Sequence, residues 1–429
     1  MDYYQATKYL NDHIGLGGEP GLDRISNLLD FMGNPHEGFP VVHVAGTNGK
    51  TSTARLTTFL LVAHGITTGT FTSPHLQRIE ERLAVNGRYA TEEEFALAVS
   101  DVEVFASLRE ERGADPNNYF ELTAASAFAL FSDQAVNAAV LEVGLGGRLD
   151  ATNVVDAEVC VVTSIGIDHA EYLGDDVASI AGEKLAIAGP NSILVTGPLP
   201  DEALTVAIDR ARELGIHHRR YGADFSVAEA ERGVGGWLVT IEGAEDTYDD
   251  VFLPLHGRHQ TTNLAMAIAA SEALLGEKLD IDAVRDGASA VTIPGRLERL
   301  GSSPVVMVDG AHNADGIETA VASLEEEFPT TKWHAVVGVM GDKNIDLMID
   351  RLGPIVSGVV TTAVDDARAV PAIELAERVA KRLEGVPVLA SETVDEALDM
   401  ARAEAGSSGA VLVIGSIYLA GEVRGLLAN

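Results

Sequence analysis

The run His43-Val44-Ala45-Gly46-Thr47-Asn48-Gly49-Lys50-Thr51-Ser52 has the residue types and spacing to hold phosphate. Backbone N–H groups of a glycine-rich turn can wrap phosphate oxygens, and a helix opening behind the turn adds partial positive charge. Lys50 is placed to reach the terminal phosphates of a nucleotide, and a hydroxyl from Thr51 or Ser52 to meet a metal or a phosphate. The general phosphate-loop pattern puts a glycine or alanine five positions before the second glycine. Here that position is Val44, so the match is to a variant, Gly-Thr-Asn-Gly-Lys-Thr. The bland alternative is an ordinary tight strand-to-helix turn.

Further polar groups stand at the ends of apolar runs. Ser73, in Thr72-Ser73-Pro74-His75-Leu76, offers a hard oxygen of the kind Mg²⁺ prefers, unless this is only a Ser-Pro turn. Glu142 ends the apolar run Ala138–Leu141, where a buried carboxylate is costly without a cation. The loop after it, Val143-Gly144-Leu145-Gly146-Gly147-Arg148-Leu149-Asp150, combines close backbone approach with an arginine and an aspartate, although a solvated loop reads the same way. Thr163-Ser164-Ile165-Gly166-Ile167-Asp168-His169 closes another run, and a lone histidine is often structural. Glu183-Lys184 reads by itself as an exposed helical pair. Asn263 reads as helix filler, and Asp309-Gly310-Ala311-His312-Asn313 as a site or as a helix cap through Asn313.

The elements that must position these groups alternate. Expected strands are Pro40–Val44, Thr67–Phe71, Ala138–Glu142, Val159–Thr163 and Ile193–Val195. Expected helices are 50–64, 120–131 and 177–187. Strand and helix in alternation imply a parallel sheet covered on both faces. Short runs and paired glycines over Ala223–Leu253 suggest an antiparallel excursion, and Thr261–Leu275 an Ala-rich helix. A boundary at Thr292–Arg296 separates an expected domain 1–295 from a second one, 296–429. The second repeats the alternation, with strands at 305–308, 335–339, 358–362, 386–389 and 410–414. The fold class is therefore α/β: a phosphate-loop domain built on a parallel sheet, plus a smaller doubly wound, Rossmann-like C-terminal domain.

Asp and Glu number 65 against 30 Lys and Arg, for a formal net charge of −35, and nucleic acid is an unsuitable partner for such a surface. No apolar run is long enough to span a bilayer, and the start of the chain does not read as a secretory signal. Cys160, the sole cysteine, reads as a small buried hydrophobe. A cytoplasmic monomer is expected.

The phosphate-loop variant resembles that of the Mur ligase superfamily, ATP-dependent enzymes that form amide bonds between a carboxylate and an amino acid. Leu141–Asn153 and Thr72–Leu76 resemble, more narrowly, the folylpolyglutamate synthase and dihydrofolate synthase family, and the likeness runs in order from about Gly21 to Val423. It implies ATP contacts at Gly46, Thr47, Asn48, Gly49, Lys50, Thr51, Ser52, Asn263, Arg296 and Asp309. It implies two Mg²⁺ sites, with Ser73, Glu142, His169 and a carbamylated Lys184 as ligands. A pterin pocket would draw on Asp23, Arg24, Phe120, Glu121, Thr123, Arg148, Leu149 and Asp150, and His312 would line the reaction centre beside the catalytic lysines Lys50 and Lys184. Thr51 departs from the glycine usual in this family and matches the cell-wall Mur ligases instead. Gly182 stands where a larger residue is usual.

The chemistry so implied is addition of L-glutamate to dihydropteroate or tetrahydrofolate through an acyl phosphate, in folate biosynthesis and one-carbon metabolism. The alternatives are a Mur-type amide ligase with another acid, and a phosphate-loop switch that makes no bond. Seven lysines and 65 acids also suggest a host with high intracellular salt, because a surface of one sign repels itself until counterions screen it. Tm measured by thermal melting is accordingly expected to rise between low salt and molar KCl; a flat curve would count against this.

Overall fold

Valine-rich runs of four or five residues form the centre of the first sheet because they are covered on both faces, so they show no polar alternation. The computed structural model describes residues 1–168 and 170–427. Eleven strands precede residue 254: β1 (Val41–Ala45), β2 (Thr68–Phe71), β3 (Leu83–Val85), β4 (Arg88–Tyr89), β5 (Ala138–Glu142), β6 (Val159–Val162), β7 (Ile193–Thr196), β8 (His218–Arg220), β9 (Ser226–Gly233), β10 (Gly236–Glu242) and β11 (Thr247–Leu253). The first eight make one sheet in the order β4-β3-β2-β5-β1-β6-β7-β8, and β11-β10-β9 make a second. Pairing is parallel from β2 across to β8, with β3 and β4 added antiparallel.

Strand β1 thus lies between β5 and β6, with Val44 opposite Glu142 and Ala45 opposite Val162. That register sets the phosphate-loop residues, the loop after Glu142 and the loop after Val162 at one sheet edge, the carboxyl ends of parallel strands where α/β folds take ligands.

The remaining strands are β12 (Glu298–Ser302), β13 (Val305–Val308), β14 (Trp333–Val337), β15 (Val356–Thr361), β16 (Val388–Ala390) and β17 (Ala410–Ile414). They form a sheet ordered β12-β13-β17-β14-β15-β16, parallel except at β12. The described chain divides into two compact units. One holds Met1–Glu231, Leu238–Leu253 and Thr261–Val291; the other holds Thr292 onward together with Arg232–Trp237 and Pro254–Gln260. Each has its own apolar core, the first around Phe71, Phe128 and Phe131, the second around Trp333 and Leu412. No helix among the described residues is long and apolar enough to cross a membrane.

Helices outside the sequence expectations include Tyr3–Asp12, Glu92–Glu111, Asp201–Leu214 and Ile281–Ala290. The last bears directly on the site, because it packs on Lys50–Ala63, the helix behind the phosphate loop. Gly287 makes the close approach possible: a Cβ there would lie 2.8 Å from the Phe59 carbonyl oxygen and 3.0 Å from Leu60 Cα. A larger side chain must push backbone aside, and overpacking of this kind costs about 1–3 kcal/mol. Gly287→Leu is expected to lower the unfolding free energy by that amount, read as a fall in the urea midpoint with an unchanged denaturant slope.

Candidate active site

Gly46 sits at φ 153° with no room for a side chain, since a Cβ would fall 1.9 Å from Thr163 Oγ1. Gly49 caps the following helix at φ 85°, and a Cβ there would press on Asn263 Oδ1 at 2.9 Å. Asn263 therefore lies against the loop, as its expected nucleotide role requires. The loop is braced from the end of β6. Thr163 Oγ1 and Ser164 Oγ donate to the Asn48 carbonyl at 2.7 and 3.0 Å, and the N–H of Thr47 donates to the Ser164 carbonyl at 2.8 Å. Thr47 Oγ1 bonds across to Gly166. Sequence reasoning looked to this segment for His169, which lies outside the described residues, and missed the bracing by Thr163 and Ser164.

Two ammonium groups share one oxygen here. Lys50 Nζ donates to the carbonyls of Gly46 and Thr47 at 3.0 and 3.3 Å, and Lys184 Nζ reaches the same Gly46 carbonyl at 3.1 Å. Lys184 is buried, not the exposed member of a helical pair. Its sequence neighbour Glu183 pairs instead with Arg148 Nε at 2.9 Å, because successive helical residues face different ways. Burial, reinforced by the Lys50 charge and opposed by Asp168 and Asp150, brings the Lys184 amine down to about 7. Gly182, two residues before it, faces open space, so its small size leaves no packing defect.

Glu142 is buried at the end of β5. Its carboxylate accepts from Thr51 Oγ1 at 2.8 Å and from the Ser73 N–H at 3.1 Å. The hydroxyl nearest the carboxylate is therefore that of Thr51, the position that departs from the usual family wording, while Ser52 is buried in the helix. No three His, Cys, Asp or Glu side chains form a metal cluster among the described residues. Glu142 and the Thr51 hydroxyl present oxygens, which is the chemistry Mg²⁺ takes, while Ser73 meets Glu142 through its backbone N–H.

The expected pterin residues separate into two groups. Phe120 meets Phe71 edge-on at 5.8 Å and closes over Gly144, where a Cβ would come within 2.5 Å of its ring. Leu149 is partly exposed on the same loop, and Arg148 is more than half exposed. Asp150 is buried and turned into the loop: one oxygen accepts from the N–H groups of Gly144 and Leu145, both at 2.9 Å, and the other from Thr152. The second group is an internal network. Glu121 forms a capping box with Asn118, pairs with Arg24 at 2.7 Å and accepts from Asn117, which Arg109 holds in turn. Asn118-x-x-Glu121 was readable in advance as a helix start; Asn117 and Arg109 were not. Thr123 donates to the Tyr119 carbonyl within its own helix, and Asp23 is exposed at the first turn of another.

In the second unit, Asp309 is buried and accepts from the N–H groups of Leu297 and Ala311 at 2.8 and 2.7 Å. Burial pushes its carboxyl up, against the nearby Arg296. Arg296 lies over Gly310, whose carbonyl accepts from His312 Nδ1 at 2.9 Å. Asn313 caps the helix Ala314–Glu327 by accepting from the Gly316 N–H. Arg296, Asp309 and His312 are therefore neighbours at the end of β13.

A family model described as the Mur ligase middle domain matches residues 44–271, and one described as Mur ligase, glutamate ligase domain, matches 295–417. Fold and loops together define a Mur-type ligase. A dihydrofolate synthase/folylpolyglutamate synthase of Mycobacterium tuberculosis is 36% identical over 96% of this chain and 91% of its own length. The folylpolyglutamate synthase of that organism, solved in complex with ADP, superposes with a TM-score of 0.95 at 36% identity, covering 100% of this chain and 98% of the other. A probable bifunctional folylpolyglutamate synthase/dihydropteroate synthase of Haloferax volcanii is 37% identical over 99% of this chain, which spans 50% of that protein's length. The chain belongs to the dihydrofolate synthase/folylpolyglutamate synthase family.

Lys184 has a thermodynamic signature. Its folded pKa, about 7, lies below the ordinary lysine value of 10.5, so between those pH values the unfolded chain binds more protons than the folded one. Stability from this group therefore rises with pH across that window. The Tm of Lys184→Met is expected to climb less between pH 7 and 10 than that of the wild type, as read by calorimetry.

Proposed function

We propose that this protein is an ATP- and Mg²⁺-dependent ligase that joins L-glutamate to the carboxylate of a pteroate or folate. The observation that carries the reading is the meeting of a braced phosphate loop, two lysines on the Gly46 carbonyl and a buried Glu142 at one sheet edge. The loop that follows Glu142 supplies glycines, Phe120 at its back and the partly exposed Leu149, a surface suited to a flat heteroaromatic ring. The activities for which the relatives are named support the same acid.

Amide formation from a free carboxylate is uphill in water, so the acid is first activated. The γ-phosphoryl group of ATP passes to the substrate carboxylate, the glutamate amine attacks the acyl phosphate, and phosphate leaves. Backbone N–H groups of Gly49 and Lys50, at the opening of the helix, hold the phosphates, and the Lys50 ammonium leaves its carbonyl partners to follow the moving charge. Glu142, with the Ser73 and Thr51 oxygens, would hold Mg²⁺, which supplies positive charge against the transferring phosphoryl group. An amine poised near 7 is partly neutral at working pH and can add to CO₂ with loss of a proton. Lys184 would so become a carbamate and, with His169, serve a second cation. Arg296 and Asp309 are assigned to the nucleotide and His312 to the incoming glutamate. Residues 1–295 would carry the phosphate loop and the pterin pocket, and residues 296–429 would bind glutamate and lend Arg296 and Asp309 to the nucleotide.

We place the enzyme in the cytoplasm as a monomer adapted to high salt, a reading supported by its −35 charge and by its kinship with a Haloferax protein. Thr51 beside Glu142 is the one feature that favours a Mur-type ligase for a different acid.

Phosphate release is expected only when ATP, a pteroate compound and glutamate are present together, with a product one glutamyl residue heavier by mass. Turnover with another acid and none with any pteroate would sink the reading. Lys50→Ala and Lys184→Ala are each expected to lower kcat by at least about 100-fold with an unchanged circular dichroism spectrum.

A further inference from the structure

Strand β1 carries a histidine between two valines. His43 is fully buried, and its ring Nδ1 has no hydrogen-bond partner. An unpaired polar atom in a core is destabilising, so packing alone does not account for this residue. Its other nitrogen explains it. Nε2 lies 2.8 Å from Thr152 Oγ1, and that hydroxyl lies 2.5 Å from Asp150 Oδ1. A carboxylate only accepts, so the hydroxyl proton points to Asp150. The Thr152 oxygen then accepts from His43, which must carry its proton on Nε2. Burial holds the ring neutral, in keeping with that tautomer.

The second Asp150 oxygen receives the Gly144 and Leu145 N–H groups, so the series runs His43 to Thr152 to Asp150 to the first two residues of the glycine loop. One end stands three residues before Gly46 and the other two residues after Glu142. Donors in series polarise one another toward the anion, which strengthens the final grip on the loop.

We propose that Thr152, oriented by His43, is a positioning residue for the pterin-bearing substrate: the hydroxyl fixes the Asp150 carboxylate, and through it the Gly144–Leu145 backbone on which the ring rests. The proposal itself depends on the assignment of the pterin to this loop. Thr152 touches no substrate. It acts on one substrate and not on the other, because the phosphate loop has its own braces from Thr163 and Ser164.

The test is steady-state kinetics on the full chain at its working salt, with dihydropteroate and ATP varied separately. Thr152→Val keeps the shape and removes the hydroxyl. It is expected to raise KM for dihydropteroate by about tenfold, the size of one hydrogen bond lost to a charged partner, and to leave KM for ATP within about twofold. Thr152→Ser restores the hydroxyl and should recover most of the affinity. Equal rises in both KM values, or a fall in Tm with both unchanged, would overturn the proposal. Should Thr152→Val not fold, His43→Phe cuts the series one bond further back; a smaller rise in the dihydropteroate KM alone supports the proposal, and no rise overturns it. Gly144→Ala separates the two readings, since its Cβ enters the loop directly. If it raises the dihydropteroate KM and Thr152→Val does not, the positioning role falls and the loop assignment stands. If Gly144→Ala has no effect, the assignment falls and the positioning role with it. A wild-type enzyme that consumes neither dihydropteroate nor tetrahydrofolate removes both.

Discussion

Two lysine amines in contact with a single carbonyl oxygen form the constraint around which this site is organised. Lys50 and Lys184 both donate to Gly46, and neither position would be tolerable if the loop could relax away from them. It cannot, because Thr163, Ser164 and Gly166 hold Thr47 and Asn48 from the neighbouring strand end, and Asn263 closes the other side. Burial first, and the Lys50 charge second, make Lys184 hold its proton more weakly than an ordinary lysine. An anion arriving in the loop relieves the crowding, which is what preorganised electrostatics requires.

Much of this fold was legible as hydrophobic pattern. The parallel strands β1, β5, β6 and β7 are short apolar runs carrying valine or leucine, β2 is a buried Thr-Gly-Thr-Phe, and the helix Lys50–Ala63 begins at the lysine itself. The long helix Glu92–Glu111 escaped notice because leucines and valines lie on its exposed face as well as its buried one, which blurs the helical period. Within the site, spacing was enough to mark the loops and insufficient to say how each side chain is used. Asp150 and Arg148 share a loop, yet one turns inward to backbone N–H groups and the other outward to Glu183. Thr123 and Glu121 share a helix with Phe120, yet their polar atoms serve the helix and Arg24. Arg148 and Glu121 find partners 35 and 97 residues away, which no local pattern contains, while Asp150 and Thr123 turn back on groups within a few residues of themselves.

Charge economy gives the site a further character. The chain has seven lysines, and two of them meet at Gly46. Elsewhere arginine carries most of the ion pairs, as in Arg24 with Glu121 and Arg382 with Asp350, where a planar guanidinium can bind a carboxylate through two donors, while Lys8, Lys278 and Lys343 make pairs of their own.

The inward carboxylate of Asp150 also bears on how this loop tolerates replacement. Its four surrounding groups all point hydrogens at it. An asparagine has the same outline and would turn one edge into a donor, setting hydrogen against hydrogen. Here an isostere is a worse substitute than its shape suggests, and a family drifting at this position is confined by polarity long before it is confined by volume.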